Sequence, residues 1–121
     1  MSEQKLPPEV QQALVEYENL RNLLAKVETE LRLTESELAE IEDILLNLKD
    51  LPEDVELYKS IGHILIKKKK DDVVKELEER KELLKVKGQK YKNQVEILRK
   101  QLAESEKKLK DLLAKYGIKV G

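Results

Sequence analysis

The sequence predicts a mainly α protein. Two long helices fold back on each other as an antiparallel coiled-coil hairpin, with a β-hairpin at the turn. Three observations predict it. Apolar residues recur at steps of 3 and 4 from Val10 to Leu48, and the pattern resumes from Val74 to Tyr116. Between the two runs, residues 51–70 (LPEDVELYKSIGHILIKKKK) lose the helical period and are rich in β-branched and aliphatic side chains. The composition is 40% charged and 3% aromatic, with no Phe and no Trp, which suits a chain that buries a seam instead of a thick core.

The first helix is expected over residues 7–49. Pro7-Pro8 suits a helix start, because a proline at the first helical position lacks only an N–H that would have had no partner. The seam is Val10, Ala13, Tyr17, Leu20, Leu24, Val27, Leu31, Thr34, Leu38, Ile41, Leu45 and Leu48. Polar residues, many of them Glu, fill most positions between. Pro52 ends the helix, since the residue before proline avoids the α region. A helix of this length spans about 60 Å.

The middle is expected to form strands at about 55–61 and 64–69. Gly62-His63 fits a two-residue II′ loop with glycine first. Ile64, Leu65 and Ile66 are consecutive, so the second strand carries apolar side chains on both faces. A strand of that kind is normally covered on both sides. An isolated two-stranded hairpin is marginal in water, and its unpaired edges are templates for pairing with other chains. No further strand is predicted, and the helices use their apolar stripes on each other. Other chains must therefore cover this hairpin, and the protein is expected to be an obligate oligomer.

The second helix is expected over residues 72–116. Asp71 and Asp72 can cap its start and suit the positive helix end. Its seam is Val74, Leu77, Lys81, Leu84, Gly88, Tyr91, Val95, Leu98, Leu102, Ser105, Leu109, Leu112 and Tyr116, with Gly117 placed as the C-terminal cap. Setting Leu48 against Val74 brings the two seams into antiparallel register. Tyr17 then faces Ser105, a large residue against a small one, which keeps the summed volume level. Lys81 faces Ile41, where its stem can pack and its ammonium reach water. Thr34 faces Gly88, and this layer is expected to be thin and the hairpin locally weak or bent there.

Charge is uneven. Residues 1–50 carry 5 Lys/Arg against 12 Asp/Glu, net −7, whereas residues 51–121 carry 19 against 13, net +6. Complementarity between two packed arms explains this better than nucleic-acid binding, because the second arm interleaves both signs and lacks stacking aromatics. Lys67–Lys70 reads as a solubilising strand edge leading into a helix. Cysteine is absent, His63 is the one histidine, and the carboxylates are spread over helix faces. No catalytic constellation, cofactor-binding motif or metal site is expected, so the chain does not read as an enzyme. No apolar run approaches the roughly 18 residues of a membrane span. A soluble, cytoplasmic protein with no membrane or nucleic-acid partner is the expectation.

The run LPEDVELYKSIGHILIKKKKDDVVKELEERKELL resembles the prefoldin β subunit family of the archaeal type. The residues that carry the likeness are Leu51, Pro52, Tyr58, Lys59, Gly62, Leu65, Ile66 and Lys67, and LPPEVQ at residues 6–11 resembles the family's N-terminal start. His63 departs from the Asn or Pro expected after the glycine. The resemblance implies one prefoldin-like domain over 1–121. It implies an α2β4 hexamer of α-class subunits and β copies, with the hairpins joined in an intersubunit β-barrel through Val55, Leu57, Tyr58, Ile61, Gly62, Ile64, Leu65 and Ile66. It further implies an ATP-independent chaperone, a holdase that passes unfolded polypeptides to a group II chaperonin. The expected client-binding residues lie at the arm tips: Leu6, Val10, Leu112, Leu113, Tyr116, Ile118 and Val120. Leu113 lies off the seam, and Ile118 and Val120 lie beyond the cap, so these read as apolar residues with no internal partner. The competing reading is a structural coiled-coil protein that tethers or spaces others without binding clients.

Overall fold

The computed structural model describes residues 6–119. The element order is α1 (Pro8–Lys49), β1 (Leu57–Ile61), β2 (Ile64–Lys68) and α2 (Lys70–Lys115). The chain divides into two compact units, one of Met1–Glu30 with Tyr91–Gly121, the other of Leu31–Lys90. Among the described residues, no helix is long and apolar enough to cross a membrane.

Heptad periodicity decides what is buried in each unit. In the first, Val10, Ala13 and Leu24 of α1 are buried, as are Val95, Leu98 and Ser105 of α2. Tyr17, Leu20, Val27, Tyr91, Leu102, Leu109 and Leu112 are half-buried. In the second, Thr34, Ile41, Leu48, Leu84 and Gly88 are buried, with Leu31, Leu38, Leu45, Val74, Leu77 and Lys81 half-buried. Each buried leucine contributes roughly 1.5–3 kcal/mol by leaving water. Tyr116 is the seam position that stays exposed. It sits at the end of α2, where α1 has only its first turn left to cover it.

Ion pairs fix the direction of packing. In the first unit Glu9 pairs with Lys115, Glu16 with Lys108 and Glu28 with Arg99. In the second, the Arg80 guanidinium forks onto Glu37 through Nε at 3.2 Å and Nη2 at 2.8 Å. As the α1 number rises the α2 number falls, so the helices run antiparallel within each unit. In all four pairs the acid is on α1 and the base on α2, which accounts for the opposite charges of the two arms. These pairs are solvent-exposed and screened, so they set register more than stability.

The Thr34–Gly88 layer lies within the second unit. A Cβ built on Gly88 would meet Thr34 Cγ2 at 3.8 Å, an ordinary contact with no clash. Both positions are buried. The layer is thin but closed, with room for one methyl. Gly88→Ala is therefore expected to stabilise the protein by about 1 kcal/mol through helix propensity and added contact. A thermal melt checks this: the melting temperature should rise, and a fall would mean that the helices need the glycine's close approach.

The termini of the elements differ from expectation by one or two residues: α1 starts at Pro8, not residue 7, α2 ends at Lys115, not residue 116, and three other ends shift with a local cause. Helix α2 starts at Lys70, not residue 72. Asp71 and Asp72 lie inside its first turn, where they favour the positive helix end, and the Lys69 carbonyl accepts from Val73 N. Strand β1 starts at Leu57, because Val55 N is drawn into a turn onto the Pro52 carbonyl. Strand β2 ends at Lys68, because the chain must turn into α2.

Lys70 differs most from its sequence reading. It is 7% exposed, and its Nζ donates to the Leu51 carbonyl at 2.6 Å, with Glu53 Oε1 3.7 Å away. Leu51 follows the last turn of α1, where carbonyls lack helical partners. The last lysine of the run is thus a clamp between the end of α1 and the start of α2, not a solubilising residue.

Candidate functional site

Two places present chemistry, one in each unit. The first is the β-hairpin. The strands pair antiparallel in the register Leu57↔Lys68, Tyr58↔Lys67, Lys59↔Ile66, Ser60↔Leu65 and Ile61↔Ile64, which leaves the two-residue loop Gly62-His63. Gly62 has φ +58° and no described non-glycine residue has positive φ. Positive φ at the first loop position alone is the II′ pattern, since I′ needs it at both.

Alternation along the paired strands sorts the side chains. One face carries Leu57, Ile61, Ile64 and Ile66 with Lys59 and Lys68. The other carries Tyr58 and Leu65 with Ser60 and Lys67. Both faces therefore hold apolar side chains, and one is the richer. Little covers them: Ile64 is 64% exposed and Leu65 68%, with Tyr58, Ile61 and Ile66 also exposed. Leu57 and Val55 are half-buried and Gly62 is exposed. The described sheet has these two strands alone, so each strand has an unpaired edge. Lys59 pairs with Glu76, and Lys67 with Glu56, which also accepts from the Tyr58 hydroxyl. Tyr58, Lys59 and Lys67 thus have polar partners within the chain, whereas Ile61, Ile64, Leu65 and Ile66 stay exposed. An apolar patch on an open two-stranded sheet marks a protein–protein contact.

The second place is the end of the first unit, where α1 begins and α2 finishes. The Pro7 carbonyl accepts from Val10 N and Gln11 N, which starts α1. At the other terminus Ile118 N donates to the Leu113 carbonyl at 2.8 Å and Gly117 N to the Ala114 carbonyl at 3.1 Å, with Gly117 at φ +65°. This is a Schellman motif, which commonly brings the side chains of its third-last and second-following residues together. Those residues are Leu113 and Ile118, and both are half-buried. The cap joins them through the backbone, from Ile118 N to the Leu113 carbonyl. Leu6 and Leu112 are half-buried too, Val10 is fully buried and presents no surface, and Tyr116 is 43% exposed. Val120 lies outside the described residues.

Glu9 joins the two helix ends. The Tyr116 hydroxyl donates to Glu9 Oε2 at 2.7 Å, and Lys115 Nζ stands 3.7 Å from the same oxygen. The tyrosine hydrogen bond, then the Lys115 charge, hold the Glu9 carboxyl below its usual range. The same hydrogen bond pushes the Tyr116 hydroxyl above its own. The contact is at full strength with Glu9 ionised and Tyr116 protonated, which holds across neutral pH. The sequence reading passed over Glu9. Its signal was present in the antiparallel register, which sets the first turn of α1 beside the last turn of α2.

Comparison with known proteins fits this geometry. A family model described as "Prefoldin subunit" matches residues 11–116. The chain belongs to the prefoldin subunit family. Proteins named prefoldin subunit beta are similar to it over nearly its whole length. The one from Sulfolobus acidocaldarius is 41% identical over 113 residues, covering 93% of this chain and 90% of that protein. One from Saccharolobus islandicus is 42% identical with the same coverage. The crystal structure of the prefoldin beta subunit from Thermococcus strain KS-1 superposes with a TM-score of 0.76 at 31% identity, covering 92% of this chain and 97% of that one. The prefoldin architecture of two long helices with an antiparallel two-strand hairpin between them is therefore shared. Prefoldin membership carries a chaperone-type role.

Proposed function

We propose that this chain is a β-class subunit of a cytoplasmic, ATP-independent holdase. In this reading the hairpin lends its two strands to an intersubunit β-barrel shared with an α-class subunit and other β copies, in an α2β4 hexamer. The helix ends hold unfolded polypeptides and pass them to a group II chaperonin. The observation that carries the reading is the hairpin, whose apolar side chains on both faces and unpaired edges call for neighbouring chains. Family membership supports the chaperone role, and the apolar cluster of Leu6, Leu112, Leu113, Tyr116 and Ile118 supplies the contact chemistry for clients of mixed sequence.

Replacing Leu112, Leu113, Tyr116 and Ile118 with Ser tests the client-binding half. Suppression of aggregation of a denatured test protein should weaken several-fold, while the oligomeric mass stays that of the parent. Unchanged suppression would instead favour the tethering reading, in which the coiled coil only spaces other proteins. One observation favours that second reading: with Val10 buried and Leu6, Leu112, Leu113 and Ile118 half-covered, the helix ends as they stand offer little apolar area.

A further inference from the structure

We propose that Glu9 and Tyr116 form a latch over the apolar cluster at the helix ends, and that the unlatched form presents the surface for unfolded polypeptide. The inference rests on the client-binding reading above. An unfolded chain gains affinity from the apolar area it removes from water. In the latched form Val10 is 0% exposed and Ala13 3%, and Leu6, Leu112, Leu113 and Ile118 are half-buried. Tyr116 is the exposed member, and its hydroxyl is committed to Glu9. A binding end that hides its leucines must open to use them.

The latch is built to open. A single carboxylate oxygen takes both the Tyr116 hydroxyl at 2.7 Å and the Lys115 ammonium at 3.7 Å. That ammonium also lies 5.4 Å from the centre of the Tyr116 ring. Both cross-helix contacts thus hang on one side chain, and removing Glu9 releases them together. The latch sits at the first turn of α1 and the last turn of α2, where local opening needs least free energy. The next cross-helix tie inward is the exposed Glu16–Lys108 pair.

If clients bind only the open form, apparent affinity follows the open fraction. Weakening one exposed charged contact should then raise that fraction about two- to fivefold. Glu9 is therefore a positioning residue, and Tyr116 acts through its hydroxyl as well as its ring. Tyr116→Phe keeps the ring and removes the hydroxyl, so it separates the two roles.

The test uses the full chain in its native assembly, with Glu9→Gln, Tyr116→Phe and the double substitution. Amide exchange is measured over residues 9–13 and 112–116, and affinity is measured for reduced, carboxymethylated α-lactalbumin as a permanently unfolded probe. In each single substitution exchange should speed and binding tighten by matching factors, about two- to fivefold, and the double should not exceed Glu9→Gln, which already loses both contacts. Unchanged exchange would overturn the latch. Faster exchange with unchanged or weaker binding would overturn the proposal that opening presents the client surface. The serine variant described above then shows whether client binding at the helix ends fails with it. If serine weakens probe binding, that reading stands and only the latch is lost.

Discussion

Placing a charge on each face of the β-hairpin, Ile64→Asp with Leu65→Asp, is expected to reduce the assembled protein to single chains whose helices remain intact. The two side chains lie on opposite faces and are 64% and 68% exposed in the single chain. Their replacement therefore costs the isolated subunit little. Where other chains cover them, as proposed, each contributes roughly 1.5–3 kcal/mol by leaving water. An unpaired aspartate in the same place adds a desolvation penalty of at least comparable size. Together these amount to at least ~6 kcal/mol, roughly ten-thousandfold weaker association or more. Sedimentation measures the mass, and circular dichroism reports the helix content. Retention of the parent mass would mean that the hairpin is not the interface.

Lys70→Met is expected to destabilise the chain by about 1.5–3 kcal/mol, the range for losing a hydrogen bond to a charged group. Methionine keeps the length and most of the apolar stem, so the substitution isolates the ammonium. That ammonium donates to the Leu51 carbonyl at 2.6 Å from a side chain only 9% exposed. Glu53, at 79% exposure, adds little to it. Without the ammonium the Leu51 carbonyl loses this donor. The midpoint of urea denaturation should fall while the slope stays unchanged, because the surface exposed on unfolding is nearly the same. Lys69→Met, one residue earlier and exposed, is the matched comparison and should be neutral within about 0.5 kcal/mol. Equal effects at the two positions would show that Lys70 acts only as one of four charges.

These two residues also show what the sequence makes legible. The coiled-coil seam can be read because burial follows a repeating separation of 3 and 4, and each seam residue but Tyr116 is buried or half-buried. The hairpin can be read because Gly62 sits between two β-branched runs, and because Ile64, Leu65 and Ile66 cannot all face one side. Lys70 cannot be read in this way. Four consecutive lysines look alike in sequence, and only the path of the chain brings the fourth onto the carbonyl of Leu51. The bond from Ile118 N to the Leu113 carbonyl is hidden from the sequence for a related reason. Heptad reasoning ends with the helix, whereas the Schellman motif that joins them lies across its end. Glu9 looked like one acid among many until the last turn of α2 was set beside it.

Residue-resolved amide exchange over β1 and β2 in the native oligomer tests the central claim most directly. In a lone two-stranded sheet, alternate amides of each strand point away from the partner and exchange as in an unprotected peptide. If the edges of Leu57–Ile61 and Ile64–Lys68 are paired with other chains, the outward amides should be protected as strongly as the inward ones. Fast exchange at the outward amides of both strands in the assembled protein would contradict the account.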